Sequence, residues 1–321
     1  MSASGQTRLT TAPLATEPTE GAEQPRERRE RSSAPEHDVS VVIPCRNESN
    51  RLPRQLDALA AQDFRGTWEI VVADNGSTDD TAAVAHAHAD RFPSLRVVDA
   101  SARPGRHHAC NVGIADARGR VVLFVDADDT VAPDYVTAMT RALHDDPVVA
   151  ARLDHATLDE PWMDGVGSAV QDHALQPGFG FLPFGAGCSL GFRREVLEAV
   201  GGFREDATYC EDVDLCWRAH LAGFPLQFAP DAVVHYQSRP NLRAMFRQHR
   251  QYAAAQAYLF RHYRAAGMPP RALRTTAAEW WAVVRALPRL RSRTERARWA
   301  RRAGRCVGRV QGSLRHRVWY V

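Results

Sequence analysis

The sequence predicts an α/β fold, a mostly parallel sheet with helices on both faces, and three observations carry that expectation. Short runs rich in Val and Ile alternate with helix-period segments at the spacing of βαβ units. Those β-branched runs read as buried strands. The chain has 321 residues and is 44% apolar, enough to fill the core of one large domain or two ordinary ones.

Residues 1–36 are rich in Thr, Ser, Pro, Glu and Arg and hold only two Leu, too little apolar surface to offset ordering entropy, so a disordered leader is expected. Four strands follow: VSVVIP (39–44), WEIVVAD (68–74), LRVVDA (95–100) and VVLFVDAD (121–128). Helical patterns at 49–62, 78–91 and 107–118 separate them. Val136, Met139, Thr140 and Leu143 form a further helical stripe, and a Gly/Pro/aromatic stretch over 161–187 reads as a substrate loop. A helix is expected from about Glu211, with Val213, Cys216, Trp217, His220 and Leu221 on one face.

Charge divides the chain more sharply than its net +3 suggests. Segment 1–36 carries 5 Arg and 6 Glu, segment 37–239 carries 17 Arg and 30 acids, and segment 240–321 carries 19 Arg and 2 acids. An acidic body (37–239) therefore bears a strongly basic extension (240–321). All 41 basic residues are arginine, a preference that GC-rich coding explains. It excludes a Schiff-base lysine, a pyridoxal phosphate anchor and a Walker lysine. The six cysteines form no C-x-x-C pair and no zinc-spaced ladder, so reduced thiols in the cytoplasm are expected. The N-terminus has no apolar h-region and no run of 18 apolar residues occurs, so neither secretion nor a membrane span is expected.

The first, second and fourth strands run into polar and acidic residues: Pro44-Cys45-Arg46-Asn47-Glu48, Asp74-Asn75-Gly76-Ser77-Thr78-Asp79 and Asp126-Ala127-Asp128-Asp129. Ligands gather at the carboxyl ends of strands in such sheets. Three carboxylates within four residues repel one another unless a cation lies among them. Hard oxygen ligands suit Mg²⁺ or Mn²⁺ bridging to nucleotide phosphates; helix capping is the structural alternative for this segment.

The runs VSVVIPCRNESNRL, WEIVVADNGSTDDT, ACNVGIADARGRVVLFVDADD, GAGCSLGFRREVLEAVGGF and CEDVDLCWRAHLAGF, over roughly 38–236, resemble family 2 glycosyltransferases of the GT-A fold, a Rossmann-like sheet. The resemblance implies inverting transfer of a sugar from a nucleotide diphosphate donor, usually UDP-linked, with Mn²⁺ or Mg²⁺. By the same resemblance Pro44, Arg46 and Glu48 match the first-strand nucleotide motif and Asp74 the aspartate on the uracil edge. Asp126 and Asp128 match the D-x-D pair, Asp128 on the metal and Asp126 on ribose or donor sugar. Glu211-Asp212 matches the acceptor-side pair, with Asp212 the general base, and His235 the histidine that completes the metal shell. The acceptor, whether glycan, lipid-linked or a small molecule or peptide, is left open.

Two departures from the family pattern bear on the donor. The frame N-x-G-x-x-x-A-R-N reads here Arg103-Pro104-Gly105-Arg106-His107-His108-Ala109-Cys110-Asn111, so Arg103 or Arg106 is expected to supply the diphosphate contact. Asp74-Asn75 stands where Asp-Asp is common. His107 and His108 are phosphate candidates that solvation also explains; Gly185, Gly187 and Gly191 fit either an acceptor-side strand or close packing; Trp162 fits either the acceptor cleft or the core.

In the extension, Leu242, Met245, Phe246, His249, Tyr252, Gln256, Leu259, Phe260 and Tyr263 predict a long amphipathic helix, and Leu273, Ala277, Trp280, Trp281, Val284 and Leu287 a second stripe. Twelve arginines between 285 and 317 face one acid, Glu295. Peripheral docking on anionic lipid at the inner face of the cell membrane, or a site for a phosphorylated or polyanionic acceptor, is expected; a solvated appendage on the acidic body is the plainer reading, and nucleic acid is the least favoured partner. A nucleotidyltransferase on a related sheet and a non-catalytic sugar-nucleotide or polyanion binder are the competing functions. The first lacks support from Glu211-Asp212 and the glycine-rich strand.

Overall fold

The computed structural model describes residues 35–166, 170–239 and 241–321. The expected leader falls on 1–34, outside the described residues, apart from its last two positions. Residues 35–321 form one compact unit that includes the basic extension.

Eight strands form one sheet: β1 (His37–Cys45), β2 (Trp68–Asp74), β3 (Leu95–Asp99), β4 (Gly119–Phe124), β5 (Thr130–Val131), β6 (Val148–Asp154), β7 (Leu190–Arg193) and β8 (Leu226–His235). Their order is β3-β2-β1-β4-β7-β6-β8-β5. The first four pair in parallel, with Val41 opposite Ile70 and Leu123. The sheet then turns mixed: β7 runs antiparallel between β4 and β6, β6 and β8 are parallel, and β5 closes the edge antiparallel.

Nine helices cover it: α1 (Leu52–Ala60), α2 (Thr81–Ala87), α3 (Arg106–Asp116), α4 (Tyr135–Asp145), α5 (Arg194–Val200), α6 (Glu211–Leu221), α7 (Leu242–Tyr263), α8 (Leu273–Ala286) and α9 (Arg293–His316), counted among the described residues. Strand residues point alternately to two cores. Val41, Ile43, Leu123 and Val149 pack under α1 and α4 through Leu52, Leu56, Met139 and Leu143. Val42, Val122, Phe124 and Ala150 pack under α3, α5, α6 and α7 through Cys110, Leu197, Trp217 and Tyr258. All six cysteines are buried and free. Expected strand 121–128 is shorter than read: β4 ends at Phe124, and Val125 makes one more bond, to the Val42 carbonyl, before the carboxylate turn begins.

The first amphipathic stripe of the extension is α7, and its apolar residues belong to the body's core: Leu259 and Tyr263 pack with Trp217. Helix α9 lies along α7 on a glycine seam. A Cβ on Gly304, Gly308 or Gly312 would stand 2.5, 2.1 or 2.2 Å from the carbonyl oxygens of Phe246, Arg250 and Ala254. Glycine every fourth residue puts all three on one face, so the two backbones touch. No helix among the described residues is long and apolar enough to cross a membrane.

Candidate active site

Two cavities meet at the carboxyl ends of the central strands. The first, about 250 Å³, is walled by Pro44, Arg46 and Glu48 after β1, Arg106 at the start of α3, Asp126 and Asp128 after β4, and Arg239 after β8. Parallel β1 and β4 lie side by side, which brings their following loops together. Gln55, fully buried on α1, donates to the Asp126 carbonyl at 3.1 Å and pins the carboxylate turn from below.

Charge in this pocket is tightly compensated. Arg106 Nε donates to Asp126 Oδ1 at 2.9 Å, while Asp128 Oδ2 lies 3.1 Å from Arg51 and 2.9 Å from Arg239. Burial and the neighbouring Asp126 still hold the Asp128 carboxyl above its usual range, and burial followed by Asp126 does the same, more strongly, to Asp129. Asp129 Oδ1 accepts from the Gln237 backbone at 2.8 Å. Ligand atoms of Asp126, Asp129 and Cys188 lie within 4.8 Å of one another. Burial keeps Cys188 a thiol, so the available ligands are hard carboxylate oxygens. The converging carboxylates of Asp126 and Asp129 are hard oxygen donors of the kind that a divalent ion such as Mn²⁺ or Mg²⁺ takes.

Other expected residues sit elsewhere. Arg103 is largely exposed, turned to Glu205 and outside this pocket, which leaves Arg106 as the arginine of that frame inside it. His108 also pairs with Glu205, at 3.0 Å, and His107 is buried beside Gly105. Asp74 accepts from the Ser77 amide at 3.0 Å and from its hydroxyl at 2.6 Å, shaping the turn after β2. His235 Nδ1 lies 2.7 Å from Asp154 Oδ2, and the pocket wall does not include it. Asn75 has a reason to be an amide. It donates to the carbonyls of Ala100 and Arg103 at 2.5 and 2.8 Å and accepts from the Gly105 amide at 2.8 Å, a set an aspartate could not complete. It thereby fixes the turn at Gly105, whose φ of +133° only glycine tolerates freely.

The second cavity, about 300 Å³, adjoins the first, with Arg239 in both walls. Asp212 stands at its edge. Trp217, fully buried, donates to the Leu182 carbonyl at 2.8 Å and meets Phe181 and Tyr263 edge to face, which anchors α6. Of the three acids in the first turn of α6, Asp214 is used up inside the protein, bonded to Arg218 and to the Tyr263 hydroxyl at 2.7 Å each. Asp212 lines the second cavity, and Glu211 lies beside it within the field of Arg106. Asp212 Oδ2 accepts from the Gly187 amide at 3.0 Å. Burial and then the adjacent Glu211 push its carboxyl up to about 6, against the opposing pull of Arg106. Burial also raises Glu211, and its Oε2 has no hydrogen-bond partner.

Arg106 ties the two sets of carboxylates together by charge, paired with Asp126 and pulling down both Glu211 and Asp212. A Cβ on Gly187 would stand 2.7 Å from its guanidinium, so glycine is what admits the arginine here. The remaining glycines of this segment are packing positions: Gly191 is hemmed by Met139 and Leu123. Trp162 lies under the Arg293 guanidinium at 4.0 Å and packs with Met163 and Met245. Gln55, Arg51, Arg239 and Tyr209 were not singled out by sequence; Tyr209, at a strained φ of 65° next to α6, lines the second cavity.

A family profile described as "Glycosyl transferase family 2" matches residues 40–201, and one described as "Glycosyl transferase family group 2" matches 121–294. An N-acetylglucosaminyltransferase of Bradyrhizobium diazoefficiens is 29% identical over 230 residues, 65% of this chain and 47% of that protein. Glycosyltransferase AglE of Haloferax volcanii is 25% identical over 209 residues, 63% of this chain and 67% of that one. The chain spans about half the length of the first of these curated relatives. Among solved structures, the mannosyltransferase PcManGT from Pyrobaculum calidifontis, in complex with GDP-Man and Mn²⁺, superposes with a TM-score of 0.59 at 23% identity, covering 88% of both chains. S. aureus TarS 1–349 in complex with UDP-GlcNAc gives 0.51 at 18% identity, covering 88% and 93%. At these identities the likeness shows the fold, a GT-A sheet.

Proposed function

Because the chain belongs to glycosyl transferase family 2, we propose that it is an inverting glycosyltransferase that moves a sugar from a nucleotide diphosphate donor, probed first as UDP-sugars, to an acceptor hydroxyl. The observation that carries this reading is the placement of a single oriented carboxylate, Asp212, in a cavity that shares a wall with the carboxylate pocket. The donor belongs in the pocket of Pro44, Arg46, Glu48, Arg106, Asp126 and Asp128, and the acceptor in the aromatic cavity.

An acceptor hydroxyl is a poor nucleophile at neutral pH. Asp212 takes its proton as the oxygen bonds to the anomeric carbon, while the bond to the diphosphate breaks and that group leaves with the electron pair. One base and one displacement suffice, which inverts the anomeric centre. Asp126 and Asp128 would hold the divalent ion, which when bound neutralises the charge growing on the leaving diphosphate. Arg106 supplies a fixed cation between leaving group and base. Glu211 acts beside the base, its charge helping to raise the Asp212 carboxyl.

The exposed part of the extension supports docking on an anionic bilayer. Leu273, Trp280, Trp281 and Val284 of α8, Leu287 just after it, and Leu314 and Trp319 beyond are 39–75% exposed. Exposed Arg289, Arg291, Arg315 and Arg317 accompany them. Tryptophan among arginines suits the headgroup boundary, and a second copy would bring like charges together.

The test of the catalytic reading is a panel of nucleotide sugars incubated with Mn²⁺ and followed by release of nucleoside diphosphate and by the anomer of the product. Transfer with inversion that is lost in Asp128→Asn and Asp212→Asn is expected. Retention, or nucleoside monophosphate and sugar 1-phosphate as products in place of nucleoside diphosphate, refutes the reading.

A further inference from the structure

The aromatic cavity contains an unbalanced pair of charges. Arg301 and Arg305 of α9, one helical turn apart, both line it. Other inward-facing arginines meet a carboxylate: Arg106 meets Asp126, Arg218 meets Asp214, and Arg309 meets Glu279. Among the described residues neither Arg301 nor Arg305 has such a partner. Arg301 Nε donates instead to His249 Nε2 at 2.6 Å, and burial with both arginines nearby drives that imidazole down to about 3, so it stays neutral. Burial and then Arg305 lower Arg301 itself to about 10. Asp159 attracts Arg301 from beyond ion-pair distance. The other arginine in the wall, Arg239, is engaged by Asp128.

A protein that desolvates two adjacent guanidinium groups without a counter-charge carries a standing cost that an arriving anion removes. The surrounding wall is largely apolar, with Phe179, Phe184 and Leu259, which strengthens any charge pairing inside it. The cavity is at the small end of ligand sites, which limits the bound part of the acceptor to roughly the size of one sugar with its substituent.

We propose that this cavity is the site of an acceptor bearing a phosphoryl group, which Arg301 and Arg305 grip as an oxyanion while the acceptor's hydroxyl is presented to Asp212. The assignment rests on the catalytic reading above for the role of Asp212, but anion binding itself does not depend on it.

The test is equilibrium binding to the full chain, by calorimetry and thermal shift, without donor. Inorganic phosphate, glucose 1-phosphate and farnesyl phosphate are the probes, the last two separating a soluble sugar phosphate from a lipid-linked one. Saturable binding that survives saturating UDP and weakens at least tenfold in Arg305→Gln is expected, with exposed Arg296→Gln unchanged. Arg305→Gln, relieved of repulsion, is also expected to melt at a higher temperature than the parent without ligand, so a variant that merely unfolds counts against the site. Binding abolished by UDP, equal binding in Arg305→Gln, or no saturable binding of any probe overturns the proposal. Loss of transfer activity with anion binding intact would instead refute the catalytic reading alone.

Discussion

Asp212→Asn separates the proposed base from everything else in the site. The side chain keeps its shape and its one remaining oxygen can still accept from the Gly187 amide, while the Val213 amide, 2.8 Å from the other oxygen, loses its acceptor; donor affinity is expected to change little. The carboxyl of Asp212 is raised from the ordinary 3.8 to about 6, which makes the two protonation states differ by about 3 kcal/mol relative to an unperturbed aspartate. A base must be ionised to accept a proton. Transfer by the parent enzyme is therefore expected to fall about tenfold per pH unit below about 6 and to level off above it. In the variant, kcat drops by about 10² to 10⁴ and the acid limb disappears. Stability moves the opposite way. A raised folded-state value contributes stability that is present below 3.8 and lost as pH rises through about 6, so at about pH 8 the parent carries a buried charge the variant lacks. Removing that charge should then contribute up to about 3 kcal/mol at that pH, offset by about 1 kcal/mol for the lost Val213 bond, with the contribution vanishing near pH 4. Steady-state diphosphate release across pH, paired with urea melts, reads both effects. Unchanged turnover, or an acid limb near pH 4 that persists in the variant, refutes the assignment.

Arg106→Ala leaves Asp126 without its partner and removes a cation from the donor pocket; UDP binding by calorimetry is expected to weaken by about 2 kcal/mol, whereas Arg103→Ala, outside the pocket, leaves it unchanged. Gly308→Leu drives a side chain into the Arg250 carbonyl and is expected to cost about 3 kcal/mol in a denaturant melt. Flotation with phosphatidylglycerol vesicles should capture the protein at low salt, and Trp281→Ser with Trp319→Ser should reduce capture at least about tenfold; equal capture by phosphatidylcholine would remove the role of the arginines.

Three of the four leading strands, β1, β2 and β4, were legible because Val41, Val42, Ile43 and their counterparts are buried on both faces; the half-buried edge strand β3 was legible from its Val97-Val98 pair. Strands β6 and β7 were not, since Leu190–Arg193 is only four residues and its register depends on partners far away in sequence. The carboxylate turn and Glu211-Asp212 stood out because acids directly after a strand or opening a helix are locally readable. The choice between Arg103 and Arg106 was not local: it turns on Glu205, about a hundred residues downstream, and on space left by Gly187. Arg51 and Arg239 reach Asp128 from opposite ends of the body, a convergence that no spacing encodes. The glycine seam had a readable period of four, but a period of small residues has no meaning until a partner helix lies against it. The long stripe of α7 was read correctly as amphipathic, yet its apolar side serves this protein's own core, with Leu259 beside Trp217.

Under the proposed assignment, the contact between α7 and α9 divides the genetic encoding of the two substrates. The carboxylate pocket is written almost entirely between residues 44 and 128. The far wall of the aromatic cavity is written on α7 and α9, beyond residue 240. On that assignment, substitutions along one face of α9 redirect which acceptor is glycosylated while the sugar donor and the chemistry are inherited intact. Three glycines set the limit on that drift, because any helix that replaces α9 must still come close enough to α7 to put its side chains in the cavity.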